Sequence, residues 1–301
     1  MNSKRIAVIG SSNTDMVIKT TKLPAPGETI LGGEFFMNPG GKGANQAVAA
    51  ARLGGKVTLI AKTGDDVFGG EARQIFESDQ INTEYLITDT THPSGIALIT
   101  VDSHGENCIV VAPGSNSYLN RNDIELARQE ILQSELILMQ LEIPVETVDF
   151  VTTLAAEAGI RVILNPAPAA IISDEILSRL FMITPNETEA ELLSGIPVRD
   201  VESATLAAQN LYDRGVKVVI ITLGSKGALL FTGNNTILVP SPKVEAVDTT
   251  AAGDVFNGAI AVAISEGAAL EKAVEFACKA AAISVTRMGA QSSAPYRKEI
   301  S

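Results

Sequence analysis

The chain has 301 residues, of which 46% are hydrophobic, and its formal net charge at pH 7 is −12. This size and composition allow a large buried core, and an acidic balance without Lys or Arg clusters disfavours nucleic-acid and anionic-membrane partners. The two histidines and the two cysteines, Cys108 and Cys278, do not support a zinc site, a Ser-His-Asp mechanism or a disulfide framework. We expect two buried thiols in a soluble cytoplasmic protein, because no apolar run has the length of an export signal or a membrane span.

The first predicted strand is residues 4–10, KRIAVIG, a continuous apolar run that ends in glycine, as buried parallel strands often do. The polar residues Asn13, Thr14 and Asp15 follow at once. Ligands of open α/β sheets bind beyond the carboxyl ends of the strands, so Asn13 and Asp15 are candidates to hold a polar substrate. A capped turn is the alternative interpretation.

Two excursions of short apolar pieces, at about residues 14–38 and 94–112, are interrupted by Pro, Gly and a tight SHGE turn. Such punctuation predicts short antiparallel strands, not a further strand–helix unit. We combine the two excursions into one small β-sheet that forms a lid over the substrate site. The lid belongs to a single α/β domain that spans residues 1–301.

A glycine-rich helix start lies between the two excursions, in PGGKGANQAVAAARLGG. Its small residues let the backbone approach a ligand, and Lys42 and Asn45 are available as hydrogen-bond donors. The spacing of a Walker A loop is absent from the sequence. As an isolated motif, this helix start is weak evidence for a ligand site.

Strands rich in Val and Ile then alternate with helices, one of them predicted over NDIELARQEILQ, which predicts a mostly parallel sheet with helices on both faces. Several polar or small residues follow the predicted strand ends: Glu142, Asn165, Asn186, Glu189, Thr222 and Gly224. Each of them alone fits a loop or a helix cap, but a shared sheet edge indicates a site. The small residues of the loop from Thr222 to Gly227 suit contact with a base or a phosphate, and a hairpin with a turn at Asn234-Asn235 follows.

The stretch from Val244 to Ile260, VEAVDTTAAGDVFNGAI, predicts a strand, a turn of small residues and a helix. The N–H groups that open such a helix have no intrahelical partner and form a site for an anion. Asp254 lies at this positive end, which we expect to keep its pKa low and its carboxylate ionised beside a phosphoryl group. The alternative is a tight strand-to-helix turn in which Asp254 is the N-cap.

Six segments together resemble the ribokinase branch of the PfkB carbohydrate kinases, over nearly the whole chain. They are NTD at 13–15, NPGGKGANQAVAAARLG at 38–54, TPNETE at 184–189, TLGSKG at 222–227, DTTAAGD at 248–254 and TRMGAQ at 286–291. The paired GGKGAN and DTTAAGD motifs are the most specific. The resemblance implies ATP-dependent phosphorylation of D-ribose at O5, which gives ribose 5-phosphate and ADP.

The resemblance also implies a set of ligands for each substrate. The sugar contacts would be Asn13, Thr14, Asp15, Gly41, Lys42, Gly43, Ala44, Asn45, Glu142 and Asp254. The nucleotide contacts would be Asn186, Thr222, Leu223, Gly224, Ser225, Lys226, Gly227, Gly253, Asp254 and Cys278. Asp254 would be the base, next to an anion hole made by Ala251, Ala252 and Gly253. Cys278 departs from the family pattern, in which a polar residue often stands there.

Two cations and a second subunit complete what the resemblance implies. Glu189 would organise Mg²⁺ through water. A monovalent cation, K⁺, would be held by Asp248, Thr250, Ser284, Arg287, Gly289 and Ser293. Homodimers joined through the β lid are usual in this branch.

Three rival functions stay open at this point. A kinase for another sugar or a nucleoside, such as deoxyribose or adenosine, would use the same fold. A non-catalytic sugar-binding regulator is disfavoured by the intact Asp254 and its small-residue turn. A nicotinamide dehydrogenase is weaker still, because no G-x-G-x-x-G follows the first predicted strand.

Overall fold

The structure, a computed structural model, describes residues 5–233 and 235–300. Lys4, in the first predicted strand, and Asn234, in a predicted turn, lie outside the described residues. The strands are β1 Arg5–Ile9, β2 Asn13–Lys19, β3 Glu34–Gly40, β4 Lys56–Gly64, β5 Leu86–Asp89, β6 Gly95–Val101, β7 Asn107–Ala112, β8 Leu136–Met139, β9 Arg161–Leu164, β10 Met182–Ile183, β11 Val218–Thr222, β12 Ala228–Phe231 and β13 Thr236–Val239.

The helices pack on a larger sheet that carries the candidate site at one edge. They are α1 Lys42–Arg52, α2 Val67–Ser78, α3 Arg121–Leu126, α4 Arg128–Leu132, α5 Val145–Ala158, α6 Asp174–Arg179, α7 Glu187–Ser194, α8 Val201–Asp213, α9 Ala252–Ser265 and α10 Leu270–Ser284. Short 3₁₀ helices cover Gly114–Tyr118, Gly224–Lys226, Gln291–Ser293 and Arg297–Glu299.

The larger sheet has the strand order β13-β12-β11-β10-β9-β8-β1-β4-β5. Its strands are parallel from β11 to β5, and β12 and β13 form an antiparallel edge. The predicted fold class, a mostly parallel sheet with helices on both faces and a smaller β-sheet, is confirmed. Because parallel strands end at the same edge, the polar residues that follow them are brought together.

Alternate residues of the central strands enter two separate cores. On β1, Ile6 and Val8 pack into the core that α1, α2, α9 and α10 cover. Ala7 and Ile9 of the same strand pack into the core under α3 to α8. Burial on both faces explains why the strand reads as a continuous apolar run.

The smaller sheet has the order β3-β2-β6-β7, and its strands occupy both predicted excursions. The prediction of purely antiparallel strands is wrong, because β2 and β6 are parallel. Both excursions leave the larger sheet beyond the carboxyl ends of parallel strands, so their first strands run in the same direction. The second strand of the first excursion, β3, begins only at Glu34, since Gly32 and Gly33 have φ values of 102° and 113°.

Three local predictions also need correction. The segment before α9 is not a strand. Pro240 and Pro242, which follow β13, lack the N–H that a strand ladder requires. The chain then passes the end of α10, where Val247 N and Asp248 N donate to Val285 O. The helix predicted over NDIELARQEILQ is two helices, interrupted at Ala127. Of the two thiols expected to be buried, Cys278 is buried and Cys108 is exposed, because all of edge strand β7 is exposed.

Candidate active site

The carboxylate predicted to be the base lies at the start of α9. Ala251 is the N-cap of this helix and is left-handed, with φ 58° and ψ 13°, a conformation that non-glycine residues rarely adopt outside functional sites. Asp254 is thus the third residue of the helix, and the alternative in which it is the N-cap is wrong. The first N–H groups of the helix, together with its dipole, form a place for an anion beside this carboxylate.

The glycine-rich start of α1 packs onto the chain that leaves β1. The helix begins at Lys42, after Gly41. A Cβ atom at position 43 would lie 2.5 Å from Ser11 N, so only Gly43 allows this approach. Ala44 N also donates to Ser11 O at 2.8 Å. The glycines therefore place the start of α1 beside β2, where the predicted sugar ligands Asn13, Thr14 and Asp15 lie.

The starts of α1 and α9 meet at Asp254, which is 5% exposed. Asn45 Nδ2 donates to Asp254 Oδ2 at 2.9 Å, and Gln46 Nε2 donates to Asp254 Oδ1 at 2.9 Å. Gln46 is also linked to Asn165 and Gln140. The sequence pattern assigns no role to Gln46, and its position next to Asn45 in the glycine-rich motif is the one local signal for it.

Burial raises the pKa of Asp254 above its ordinary value, although Lys42 and the amides of Asn45 and Gln46 act in the opposite direction. The expectation of a low pKa is therefore wrong. Desolvation disfavours the charged form and outweighs the stabilisation that the neighbours supply. A carboxylate with a raised pKa is a stronger base than an exposed aspartate.

Asp15 on β2 shows the same effect. Burial, with the charges of Glu142 and Asp254, raises its pKa to about 6, and Lys42 acts against this rise. Burial lowers the pKa of Lys42, but the surrounding carboxylates outweigh burial and raise it. The site therefore holds a fixed cation among several acidic groups, an arrangement typical of functional sites.

Glu142 ties the turn after β8 to the start of α1. Its Oε2 accepts from Lys42 N at 2.9 Å and from Ser11 Oγ at 2.5 Å. Ser11 Oγ in turn accepts from Gly43 N at 3.3 Å. Ser11 is fully buried and was not singled out from the sequence, where a serine in a polar turn carries little signal.

The side chain of Asn13 is oriented by a residue that the sequence did not reveal. Asn116 Oδ1 accepts from Ser12 N at 2.9 Å, and Asn116 Nδ2 donates to Asn13 Oδ1 at 2.8 Å. Because a backbone N–H can only donate, the orientation of Asn116 is fixed, and Asn13 has its Nδ2 available as a donor for a ligand.

The predicted nucleotide residues gather at the ends of β10 and β11. Asn186 caps α7 in a reciprocal pair with Glu189: Glu189 N donates to Asn186 Oδ1 at 2.8 Å, and Asn186 N donates to Glu189 Oε2 at 2.9 Å. Asn186 also forms a parallel bridge with Thr222. Leu223 is buried, and Gly224, Ser225 and Lys226 form an exposed 3₁₀ turn that ends at Gly227. Cys278 is buried in the core on α10, and burial raises its pKa to about 11.

Of the predicted monovalent-cation residues, Ser284 ends α10 and Ser293 ends a 3₁₀ helix, and the others lie in loops that Asp248 joins. Asp248 Oδ1 accepts from Thr250 N at 2.9 Å, and Oδ2 accepts from Gly289 N at 2.8 Å. Burial raises the pKa of Asp248, but these hydrogen bonds outweigh burial and lower it. The hydroxyls of Ser284 and Ser293 donate to Ala281 O and Ala290 O, and the Arg287 side chain pairs with Glu299. Within residues 5–233 and 235–300, no group of three or more His, Cys, Asp or Glu side chains is arranged to hold a metal.

A cleft of about 840 Å³ separates the smaller sheet from these loops. Asp15 lines the cleft from the sheet, and Asp248, Thr250 and Gly289 line it from the loops. Apolar side chains of the smaller sheet complete its wall: Val17, Phe36, Ile99 and Ile109. The cleft therefore brings a predicted sugar ligand and predicted cation ligands to one place.

Residues 3–297 match the family described as pfkB family carbohydrate kinase. The chain belongs to this family. It is 45% identical over 296 residues to the ribokinase of Haemophilus influenzae, covering 98% of this chain and 97% of the relative. It is 41% identical over 291 residues to the deoxyribokinase of Salmonella typhi, covering 96% and 95%. Its fold matches the structure of Arabidopsis thaliana ribokinase complexed with ribose and ATP, with a TM-score of 0.91, 32% identity and coverage of 99% and 97%.

Family membership confirms the resemblance that the six motifs carried, and with it the enzyme class, a carbohydrate kinase. The individual ligand assignments and the division into one domain with a lid stay predictions. Among the described residues no helix is both long and apolar enough to cross a membrane.

Proposed function

We propose that this chain transfers the γ-phosphoryl group of ATP to O5 of D-ribose, giving ribose 5-phosphate and ADP. The observation that carries the proposal is the buried carboxylate of Asp254, held by amides from α1 at the N-terminus of α9. Full-length similarity to ribokinases supports ribose and ATP as the substrates.

Asp254 accepts the proton of the attacking hydroxyl in this proposal. The N–H groups of Ala251, Gly253 and Asp254 stabilise the charge of the phosphoryl group as it moves, and the cationic Lys42 adds to this effect. Ala252 N instead donates to Thr249 O. Phosphoryl transfer passes through a loose transition state, so placement of the groups matters more than strong basicity. Burial of Asp254 favours the step further, because a raised pKa makes the carboxylate a better proton acceptor at neutral pH.

The sugar would be held by groups that already converge around Asp15. Asn13 offers a donor, Asp15 and Glu142 offer acceptors, and Lys42 lies among them. Asn45 keeps its Oδ1 without a hydrogen-bond partner among the described residues, so this buried oxygen is available to a sugar hydroxyl. The main chain of Gly41, Gly43 and Ala44 would form the rest of this pocket.

The nucleotide would lie over the loop from Thr222 to Gly227, with Asn186 and Gly253 near its phosphates. The exposed 3₁₀ turn of this loop and the bridge between Asn186 and Thr222 support the placement. Only a small part of the Cys278 side chain would contact the adenine, since this residue is 4% exposed.

Mg²⁺ and K⁺ would assist this chemistry, and the residues present fit both ions. Glu189 offers a buried carboxylate at the nucleotide side, which suits Mg²⁺ that keeps its water ligands. Asp248 offers a single negative charge, and each of its oxygens keeps lone pairs beyond the one backbone N–H that it accepts, which suits a monovalent cation. Mg²⁺ would neutralise phosphate charge, and K⁺ would order the turn before α9. Chelation of Mg²⁺ tests whether the activity requires this ion, and the expected result is loss of ADP formation.

The lid sheet would join two copies of the chain as a homodimer. Its face away from the cleft carries exposed Ile18, Phe35, Met37, Leu98 and Val110. These side chains are neighbours in the sheet, since Phe35 pairs with Ile18 and Leu98 pairs with Val110. A contiguous apolar patch of this kind marks an interaction site. Sedimentation would give the mass of two chains for the parent and of one chain for Leu98→Glu; a parent with the mass of one chain would refute the dimer.

The cytoplasm is the compartment that suits this activity, because ATP is available there and thiols remain reduced. Cys108 and Cys278 are both free, which agrees with a reducing environment. Recovery of the native protein in an exported fraction would refute this placement.

A kinase for 2-deoxyribose is the second candidate, favoured by the similarity to a deoxyribokinase. Incubation with Mg-ATP and a panel of pentoses, hexoses and nucleosides, with ADP measured, decides between the candidates. We expect the highest kcat/KM for ribose. ADP formation that does not depend on any sugar or nucleoside would refute the proposed function.

A further inference from the structure

None of the roles proposed above belongs to Gln46, although its side chain makes three hydrogen bonds beside Asp254. Its side chain is fully buried. Nε2 donates to Asp254 Oδ1 at 2.9 Å and to Asn165 Oδ1 at 3.0 Å, and Oε1 accepts from Gln140 Nε2 at 2.6 Å. A buried amide with three hydrogen bonds is held in one orientation, so the N–H that touches Asp254 has a fixed position.

The donor and acceptor ends of this network cannot be exchanged. Asn165 Nδ2 donates to the backbone oxygen of Thr184 at 3.3 Å, and a carbonyl can only accept. Asn165 therefore presents its oxygen to Gln46. An ionised Asp254 also only accepts, so Gln46 must present its nitrogen to both neighbours, and its oxygen is left for Gln140.

The two oxygens of Asp254 consequently receive one amide each. Asn45 binds Oδ2 and Gln46 binds Oδ1. This arrangement fixes the plane of the carboxylate and leaves lone pairs on both oxygens for a substrate hydroxyl. Hydrogen bonds to an ionised carboxylate stabilise its charged form, and they act here against the effect of burial.

We propose that Gln46 is a positioning residue that acts through Asp254: it fixes the plane of the carboxylate and keeps it in the ionised form that accepts a proton. This inference rests on the proposed role of Asp254 as the base. Other charged groups also face Asp254: Lys42 from α1, Glu142 from the turn after β8, Asp15 from β2 and Glu189 from α7. All of them remain in a Gln46 variant, so a changed pH dependence reports the loss of the amide.

The test begins with Gln46→Met, which keeps the length of the side chain and removes its donor. We expect kcat with ribose and Mg-ATP to fall about tenfold at neutral pH, because the plane of the Asp254 carboxylate is no longer fixed toward the substrate hydroxyl. The acid-side midpoint of the kcat profile should rise by roughly one pH unit, while both KM values stay within about twofold. An unchanged kcat and midpoint would overturn the proposal.

A double-mutant cycle then asks whether Gln46 acts through Asp254. In the Asp254→Asn background, Gln46→Met should change kcat by less than about twofold, because the group through which it acts is gone. An equal fold-loss in both backgrounds would overturn the proposal. Thr152→Val is the matched control: it removes a buried hydroxyl on α5, which covers the opposite face of the larger sheet, and should change neither kcat nor the midpoint.

The same variants separate this inference from the function on which it rests. Near-parental turnover of Asp254→Asn alone would overturn the base assignment and this inference together. A strongly impaired Asp254→Asn beside an unaffected Gln46→Met would overturn this inference alone. The midpoint does not depend on the folded fraction of a variant. If Gln46→Met is insoluble, Gln140→Met carries the test, since it removes the 2.6 Å bond to Gln46 Oε1. It should lower kcat and raise the midpoint to a smaller extent, and unchanged values would overturn the proposal.

Discussion

Asn45 and Asp254 are 209 positions apart in the sequence, yet Asn45 Nδ2 donates to Asp254 Oδ2 at 2.9 Å. Both residues lie in the first turns of their helices, α1 and α9, and these helices pack against each other. The positive ends of two helix dipoles therefore meet at one carboxylate, where a phosphoryl group would also be stabilised. The contact between α1 and α9 is thus a requirement for activity as well as for stability.

Gly258→Ala tests that contact. A Cβ atom there would lie 2.7 Å from Ala49 Cβ, 2.8 Å from Gln46 O and 2.9 Å from Ala50 N. Backbone atoms cannot move aside cheaply, so we expect a loss of about 1 to 3 kcal/mol in the free energy of unfolding, measured with urea. At Gly70 on α2, no heavy atom of the described residues lies within 4 Å of the Cβ position. Gly70→Ala should therefore gain about 0.5 to 1 kcal/mol, and equal shifts in the two variants would contradict the packing argument.

Asp15→Asn tests the electrostatics of the proposed sugar site. The folded-state pKa of Asp15 is about 6, above its ordinary value of 3.8, so the folded protein keeps a proton that the unfolded chain releases between these values. The stability that protonated Asp15 supplies is fully present below the unfolded-state pKa of 3.8 and is lost as the pH rises through the folded-state pKa of about 6. The variant should exceed the parent by up to about 3 kcal/mol at pH above roughly 7, and by little near pH 4. A constant difference across urea unfolding at both pH values would contradict the shifted pKa.

Asp15→Ala tests the choice between ribose and 2-deoxyribose. A buried carboxylate can accept hydrogen bonds from two adjacent hydroxyls, and the loss of one leaves an unpaired acceptor at a cost of roughly 1 to 3 kcal/mol. We expect the parent to prefer ribose by about tenfold to a few hundredfold in kcat/KM. The variant should lose most of this preference and most of its activity. Equal kcat/KM for the two sugars in the parent would show that Asp15 does not read the 2-hydroxyl.

The parts of the fold that sequence predicts well are those set by local pattern. Val- and Ile-rich strands such as β4 and the Ala-rich helix after Lys42 have periodicities that determine their type. The direction of β2 relative to β6 could not be predicted, because it depends on where two distant excursions leave the larger sheet. The strand predicted before α9 does not form, because Val247 N and Asp248 N donate to Val285 O, a partner distant in sequence that the local pattern does not reveal.

The candidate site also contains residues with a local sequence signal and residues without one. Small residues before Asp254 and Lys42 identify the two helix starts, because their backbone function has a local signature. Gln46, Ser11 and Asn116 were missed, since their roles come from partners distant in sequence. The low pKa expected for Asp254 was wrong for a related reason: the degree of burial is a property of the assembled structure.

Replacement of K⁺ tests the role proposed for the loop around Asp248. This carboxylate joins Thr250 N and Gly289 N, so a cation bound beside it would order the turn that precedes α9. We expect K⁺ to activate the enzyme more than Na⁺ and to raise its Tm, as any ligand of the folded state does. Asp248→Asn should weaken both effects. Activity and Tm that stay unchanged when K⁺ is replaced by a bulky organic cation would contradict this role.

Turnover of Asp254→Asn is the measurement that tests the proposed chemistry most directly. Asparagine keeps the size of the side chain but cannot accept the proton of the ribose hydroxyl. We predict that kcat with ribose and Mg-ATP falls on the order of a hundredfold or more, as expected for the loss of a general base. Calorimetry should show that ribose and ATP still bind, since the groups that hold them remain. Near-parental kcat in this variant would contradict the assignment of Asp254 as the base.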